Sequence, residues 1–381
     1  MTTVFRGGFR INGFRLVTTQ KELGIMVRMI WSSVLAIGGV VGMVVSLFSP
    51  SQVEASCGSV SCFVVIGSQQ QVPMKGLLTI NAIYNVTPME APSGEGGRIP
   101  FADQGGRTLT LANLDVNRIE TMTRTATLDM NYGLTDRLGI QVAVPYKHVE
   151  SDAQIGGLTP VPYSERGLGD IRATLKYNVL PTLRSMIVVG VGVDFPTGSY
   201  GRFAQGNTLA ESTLQIGRGN FGIVPMIYQT YELIPHRVNQ FASVSYRHTF
   251  KNSDGYKFGD EVSGALGINV IPLEQTPWLV LTQQFNFRWM QNDAMDASLF
   301  QFNPGGAPIL LDPAVRFRAI PTTGSTYVAY SPGIMVNVFN FASAYFIAQI
   351  PIHRNFNGNL EQQISYIFGV TKSFQLFGGS S

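Results

Sequence analysis

Charge is scarce in this sequence. Asp, Glu, Lys and Arg supply 13% of its 381 residues, about half the share of an ordinary globular chain. The formal net charge is only +3, and no block of like charges stands anywhere. A basic face for nucleic acid and a disordered acidic tail therefore both lack their raw material. Cysteine is almost missing too. Cys57 and Cys62 lie close together near the start. In an oxidising compartment that spacing closes a small disulfide loop, whereas half a metal site would find no third cysteine to complete it. The four histidines, His148, His236, His248 and His353, keep no H-E-x-x-H spacing, and no C-x-x-C-H string exists for haem. Neither a metal nor a cofactor is expected.

Long apolar runs are absent after residue 48, so no helix from there on is built to span a bilayer. The one such run is Ile30 to Phe48, IWSSVLAIGGVVGMVVSLF. Arg10, Arg15, Lys21 and Arg28 precede it, and polar residues and the small pair Ala55-Ser56 follow it. That order is an export signal cleaved near Ala55, with a long basic lead and Met26 as an alternative start. The run also has the length of an anchor helix. Acylation of Cys57 is the weaker alternative, because Glu54 stands where an apolar residue is wanted. The chain then divides into a signal (1–55), a periplasmic segment with both cysteines (56–74), a main domain (75–377) and a short tail (378–381).

What the main domain has in abundance is alternation. Ile171, Ala173, Leu175 and Tyr177 share one parity, and Arg172, Thr174, Lys176 and Asn178 the other. Past the break at Pro181, Val189, Val191, Val193 and Phe195 repeat the apolar set. Period two over this length means strands whose two faces meet different surroundings. Similar segments run Gly76–Val86, Thr125–Tyr146, Phe221–Phe250, Glu261–Trp289, Thr326–Ile352 and Gln362–Phe374. With their flanks they make about twelve strands. Many run about ten residues or more, the length a tilted strand needs to cross a bilayer. Turns after even strands are tight. Connections after odd strands are mostly long: Glu90 to Glu120, Glu150 to Gly167, Pro196 to Gly217 and Gln291 to Thr323. That asymmetry is the plan of a transmembrane up-and-down β-barrel with periplasmic turns.

The two faces bear this out in composition. The apolar set, including Leu128, Val144, Leu175, Val191, Val244, Leu266, Phe285, Ile334 and Tyr366, carries no charge, and Gln283 is its one polar intruder. A Lys or Arg there would cost roughly 2–4 kcal/mol at the midplane. Tyr132, Tyr146, Tyr177, Tyr246, Trp278 and Trp289 gather toward strand ends, as interface girdles do. A soluble β-sandwich is the competing fold. The segment Phe221 to Leu233 does not alternate cleanly, and its faces are left unassigned.

The polar face holds the candidate functional residues: Arg172, Lys176, Arg247 and Arg288, with Asp129 and Asp194. Arg172 and Arg288 fall in the outer half and Lys176 nearer the middle. Such a ring selects anions; the alternative is salt bridging within the lumen to Asp129, Asp194 or Glu232. GRGNFG (Gly217–Gly222) matches a phosphate-loop string, but a strand follows it rather than a helix, so a loop role is expected. Parity puts His248 and Ser245 on opposite faces, which disfavours a hydrolytic pair.

Three stretches carry a family resemblance: YGLTDRLGIQVAVPY, GLGDIRATLKYNVL and VVGVGVDFPTGSY. They resemble the outer-membrane transporters catalogued as meta-pathway phenol-degradation proteins. Gly167-Leu168-Gly169-Asp170 and Pro196 to Tyr200 are the most specific parts. The resemblance implies a bacterial outer-membrane barrel that passes small, often apolar or aromatic molecules. Its partners would be membrane lipids, the solute and the barrel-assembly machinery. One departure concerns that machinery: barrels of this kind commonly end on an aromatic residue, whereas Phe377 is followed here by Gly-Gly-Ser-Ser. Taken together, the expectation is an all-β outer-membrane transporter or channel. A plugged structural or adhesive barrel and a lipid hydrolase are the alternatives.

Overall fold

The computed structural model describes residues 70–90, 101–102, 108–109, 116–155, 161–182, 184–200, 203–204, 208–209, 215–253, 255–296, 317–319, 324–338, 342–356 and 361–376. The stretch expected as an export signal, Cys57, Cys62 and the C-terminal tail lie outside these residues. Fourteen ladder segments form one antiparallel sheet, and two pairs of them run on as single interrupted strands, leaving twelve. In chain order these are β1 (Leu77–Glu90), β2 (Val116–Gly133), β3 (Leu138–Ile155), β4 (Val161–Leu168 and Ile171–Asn178), β5 (Ser185–Phe195) and β6 (Gly222–Ile234). There follow β7 (Val238–Thr249), β8 (Glu261–Val270), β9 (Leu279–Met290), β10 (Ser325–Val338), β11 (Ala342–Phe356) and β12 (Glu361–Gln362 and Ser365–Gln375). Each strand pairs with its neighbour in sequence. The ring closes because β1 pairs with β2 from Leu78↔Tyr132 to Glu90↔Glu120, and with β12 from Leu77↔Gln375 to Val86↔Tyr366. Closure leaves no free edge, which is what a sheet in hydrocarbon requires.

The barrel is built inside out relative to a soluble domain. Leu128, Leu175, Val191, Leu266, Phe285 and Val370 stand exposed on the outer wall, Leu266 with 57% of its surface free. Asn81, Asp129, Asn131, Thr174, Lys176, Asn269, Gln284 and Ser331 are buried within. A soluble sandwich would bury the first set, and apolar exposure on this scale is not met in dissolved monomers. Trp278 and Trp289, both exposed, stand at the two ends of β9. Eleven residues at about 3.3 Å and a tilt near 40° separate them by about 28 Å along the membrane normal. The apolar band of such barrels is about 25 Å tall, so the two indoles fall at its edges.

Three details were not foreseen. The stretch from Glu150 to Gly167 is not a plain loop: β3 and β4 continue their ladder to Ala153↔Val161, and β2 runs beside β3 to Val116↔Ile155, so the wall continues through it. The irregular strand is β6, and its faces are now assigned: Ile223, Pro225 and Ile227 point out while Val224 and Tyr228 point in. Its pattern is blurred because its inward residues are apolar as well. Finally, Gln283 has a partner on the outer wall, where the Tyr330 hydroxyl donates to its side-chain oxygen. A second polar pair lies on the same wall, Gln240 donating to Gln229 at 3.1 Å. Each pair satisfies polar groups that hydrocarbon cannot.

Candidate functional site

In the outer half of the lumen the registers bring inward residues of consecutive strands into one row. Arg172 on β4 is opposite Asp194 on β5, and Arg247 on β7 is opposite Glu261 on β8. Arg288 on β9 is opposite Tyr327 on β10. Arg172 grips Asp194 with two bonds, Nε to Oδ1 at 2.5 Å and Nη2 to Oδ2 at 3.0 Å. Between β5 and β7 the row would be interrupted by β6, but its residue there is Gly222, whose hydrogen leaves Asp194 open to both sides. Arg247 Nε therefore reaches Asp194 Oδ2 at 3.1 Å, and Arg247 Nη1 donates to Glu261 Oε2 at 3.3 Å. Arg288 stands apart from these carboxylate pairs. Its Nη2 donates across to Gln362 on β12 at 3.2 Å, and its guanidinium lies 5.5 Å from the centre of the Tyr327 ring.

A fourth guanidinium joins the row from a loop. Arg218 Nη2 lies 3.8 Å from Glu261, and its guanidinium sits 5.1 Å over the Phe258 ring. Three short sequences hold it there. Asp170, at the interruption of β4, accepts the Gly198 amide on Oδ1 at 3.0 Å and the Arg218 amide on Oδ2 at 2.8 Å. Thr197 Oγ1 accepts from the Ile171 amide and donates to the Gly169 carbonyl. Gly198 and Gly217 touch so closely that a Cβ on Gly198 would sit 2.6 Å from Gly217 Cα. Gly219 completes the turn at φ +66°, a region side chains resist. Thus GLGD, PTGSY and GRGNFG tie one knot, whose product is a guanidinium aimed into the lumen.

The inner half is different in kind. Lys176 is fully buried, and its electrostatic partner is Asp129, itself 3% exposed. Gln141 donates to Asp129, while Tyr345 and Thr371 both donate to Asn81 Oδ1, at 3.2 and 3.0 Å. Nearby, Val280, Met335, Tyr345, Ile347 and Ile367 form an apolar cluster inside the wall. The residues before β1 enter the barrel as well. Val72 packs with Val188, Tyr228 and Phe241. Asn131 donates to the Gln71 carbonyl at 2.8 Å, and the Met74 carbonyl lies 2.1 Å from where a Cβ on Gly133 would be. The segment read from sequence as periplasmic therefore ends inside the tight-turn mouth of the barrel.

Sequence reasoning brought Arg172, Asp194 and Arg247 to the same face, and the structure joins them. Lys176 and Asp129 form a separate pair deeper in. Glu232 does not serve as a lumen partner: it accepts the His236 amide at 2.8 Å within a tight turn, and Glu261 takes its place. Arg218, Glu261 and Tyr327 were missed. Glu261 opens a strand, where face parity is hardest to read, and Arg218 sits in a loop, where parity says nothing.

Outside the spanning strands, two carboxylates pin the loops. Burial opposes ionisation of Asp260, yet bonds from Tyr246, His248, Lys257 and the Thr249 amide outweigh it and hold its carboxyl below the usual range. Burial pushes the Asp293 carboxyl up, partly offset by the Tyr256 hydroxyl and the Gly259 amide. His248 lies on that outer knot, whereas Ser245 faces Ser263 at 3.0 Å. His148 Nε2 is 3.3 Å from Ser164 Oγ and 3.4 Å from Glu150. Among the described residues no group of three or more His, Cys, Asp or Glu is placed to hold a metal.

This architecture is shared with solved structures. An outer membrane channel from Pseudomonas putida F1 superposes with a TM-score of 0.54 at 12% identity, over 82% of this chain and 100% of that one. A deletion mutant of the TodX monoaromatic hydrocarbon channel aligns at 0.46 and 11% identity, over 82% of this chain and 93% of that one. At 12% identity the first likeness concerns the fold: a closed barrel of the bacterial outer membrane. No curated protein matches the chain. A family model matches residues 95–307, more than half of the chain, and the chain thus belongs to the family described as "Putative MetA-pathway of phenol degradation".

Proposed function

We propose that the barrel is a channel through which small molecules cross the outer membrane. The observation that carries this reading is the reversal of polarity across the wall: lipid-facing Leu, Val and Phe outside, and a charged and amide-lined interior within. A barrel that served only to anchor loops would not need a row of guanidiniums spanning β4 to β9. The family description favours aromatic solutes. Arg172, Arg247 and Arg288, tempered by Asp194, would set ion preference near the outer mouth, and Lys176 with Asp129 would mark the constriction. The same reading takes residues 1–55 as the export signal, Cys57–Cys62 as a disulfide, and the assembly machinery as the partner that inserts the barrel.

The plugged-barrel alternative has one observation in its favour, the residues up to Met74 lodged in the tight-turn mouth. The hydrolase alternative has little. His148 offers one ring nitrogen to both Ser164 and Glu150, whereas in a triad serine and carboxylate engage opposite nitrogens. Planar-bilayer recording under a KCl gradient tests the proposal. Discrete openings with a reversal potential on the anion side are expected, and Arg172→Ala plus Arg288→Ala should move that potential toward cations. A silent protein would leave the plugged barrel as the reading.

A further inference from the structure

The outer row has more positive charge than its carboxylates can use. Arg247, Arg218, Arg288 and Arg172 all lie within Coulombic reach of Glu261, and three of them also act on Asp194. With Lys147, Asp170 and Asp293, which act on the same groups, five cations face four carboxylates along this part-buried row. Several donors there are unmatched. Arg218 Nη1, Arg288 Nε, Ser325 Oγ and the Tyr327 hydroxyl are buried without any acceptor. Tyr327 and Ser325 are each only 4% exposed. A buried donor without a partner costs about 1–3 kcal/mol, more when it is charged. Four such donors on one charged row mark an acceptor that is bound rather than built in.

The shape of the donors narrows its chemistry. Two of the guanidiniums lie over rings, Arg218 at 5.1 Å from the Phe258 centroid and Arg288 at 5.5 Å from that of Tyr327. Phe258 is itself wedged edge-on against Tyr256 at 5.0 Å and Tyr200 at 6.5 Å. A guanidinium fixed in this way offers a planar fork at its rim, the complement of a carboxylate, and a flat face for stacking. Resting on the channel reading, we infer that the outer half of the lumen holds a binding site for a small aromatic carboxylate, with Arg218, Arg288, Tyr327 and Ser325 as its donors. Asp170 is its positioning residue, since it holds the Arg218 amide.

Benzoate is the probe, with benzamide and acetate as comparisons that remove the charge or the ring. Binding to the folded, detergent-solubilised barrel is measured by calorimetry, which needs no open channel. In parallel, benzoate is added to the outer side of reconstituted channels and block of the current is recorded. Benzoate should bind, and benzamide and acetate should bind at least about tenfold more weakly. Arg218→Gln should weaken benzoate binding about tenfold. Tyr327→Phe, which keeps the ring and removes the hydroxyl, should weaken it about threefold. Arg218→Lys covers the case in which the glutamine variant fails to fold; loss of the fork should still weaken binding. The outer-wall variant Tyr330→Phe should bind as the parent does. Equal binding of benzoate and benzamide, or benzoate binding untouched by Arg218→Lys and Tyr327→Phe, would overturn the site and leave water as the partner of these donors. Current without benzoate binding sinks this inference alone. Binding without current sinks the channel and leaves the site.

Discussion

The two halves of the lumen solve the problem of buried charge in opposite ways. In the inner half Lys176 has Asp129 as its opposite partner, Gln141 donates to that carboxylate, and Tyr345 and Thr371 donate to Asn81. In the outer half the charges form a chain in which Asp194 serves both Arg172 and Arg247, Glu261 serves Arg247 and Arg218, and cations remain in excess. A closed pair is suited to restricting a passage. An open chain with surplus donors is suited to choosing what enters it. The difference rests on small features of sequence, Gly222 beneath Asp194 outside and Val72 among Val188, Tyr228 and Phe241 inside.

The comparison can be broken most severely at its inner end. Lys176→Met would leave Asp129 charged and unpaired, a loss of about 3–5 kcal/mol. Folding should recover when Asp129→Asn is added. Urea unfolding in lipid vesicles, read by heat-modifiable gel mobility, measures both, and a single variant as stable as the parent would refute the pairing. At the outer end, Asp170→Ala removes two charge-assisted bonds to backbone amides, each worth about 1.5–3 kcal/mol in favourable cases. Part of that is recovered by water in a loop, so a net loss of about 2 kcal/mol is expected. The same variant should shift the reversal potential toward cations, because Arg218 loses its anchor. The wall between the halves gives the smallest effect. Tyr330→Phe strands the Gln283 oxygen in hydrocarbon and should cost about 1 kcal/mol by the same unfolding assay, with conductance unchanged.

Much of this was legible in the primary structure because a barrel wall obeys a local rule. Leu175 out and Lys176 in follow from parity alone, and so do the strand number and the uncharged outer face. β6 escaped the rule because its buried inward residues include Val224 and Tyr228, the latter in an apolar cluster with Val188 and Phe241, so both its faces read alike. What parity cannot supply is which residues meet across strands. Glu261 as the partner of Arg247, Arg288 reaching Gln362, and Tyr330 capping Gln283 are all facts of register, set by distant chain. Arg218 was hidden more deeply. Its position depends on Asp170, Thr197 and Gly198, which lie 20 or more residues away along the chain and meet only once the barrel has closed. The return of Gln71 and Val72 into the tight-turn mouth left no periodic trace either, since so short a stretch holds no repeat.

One recording series bears most directly on the division of labour. Parent, Val72→Asp and Arg172→Ala plus Arg288→Ala proteins are compared in planar bilayers for single-channel conductance and reversal potential. The inner variant places an unpaired carboxylate in an apolar cluster and should expel the inserted segment. Conductance should rise severalfold with little change in reversal potential, whereas the outer variant should move the potential and spare the conductance. If the inner variant alters ion preference while the outer one alters only current, the assignment of the two halves is wrong.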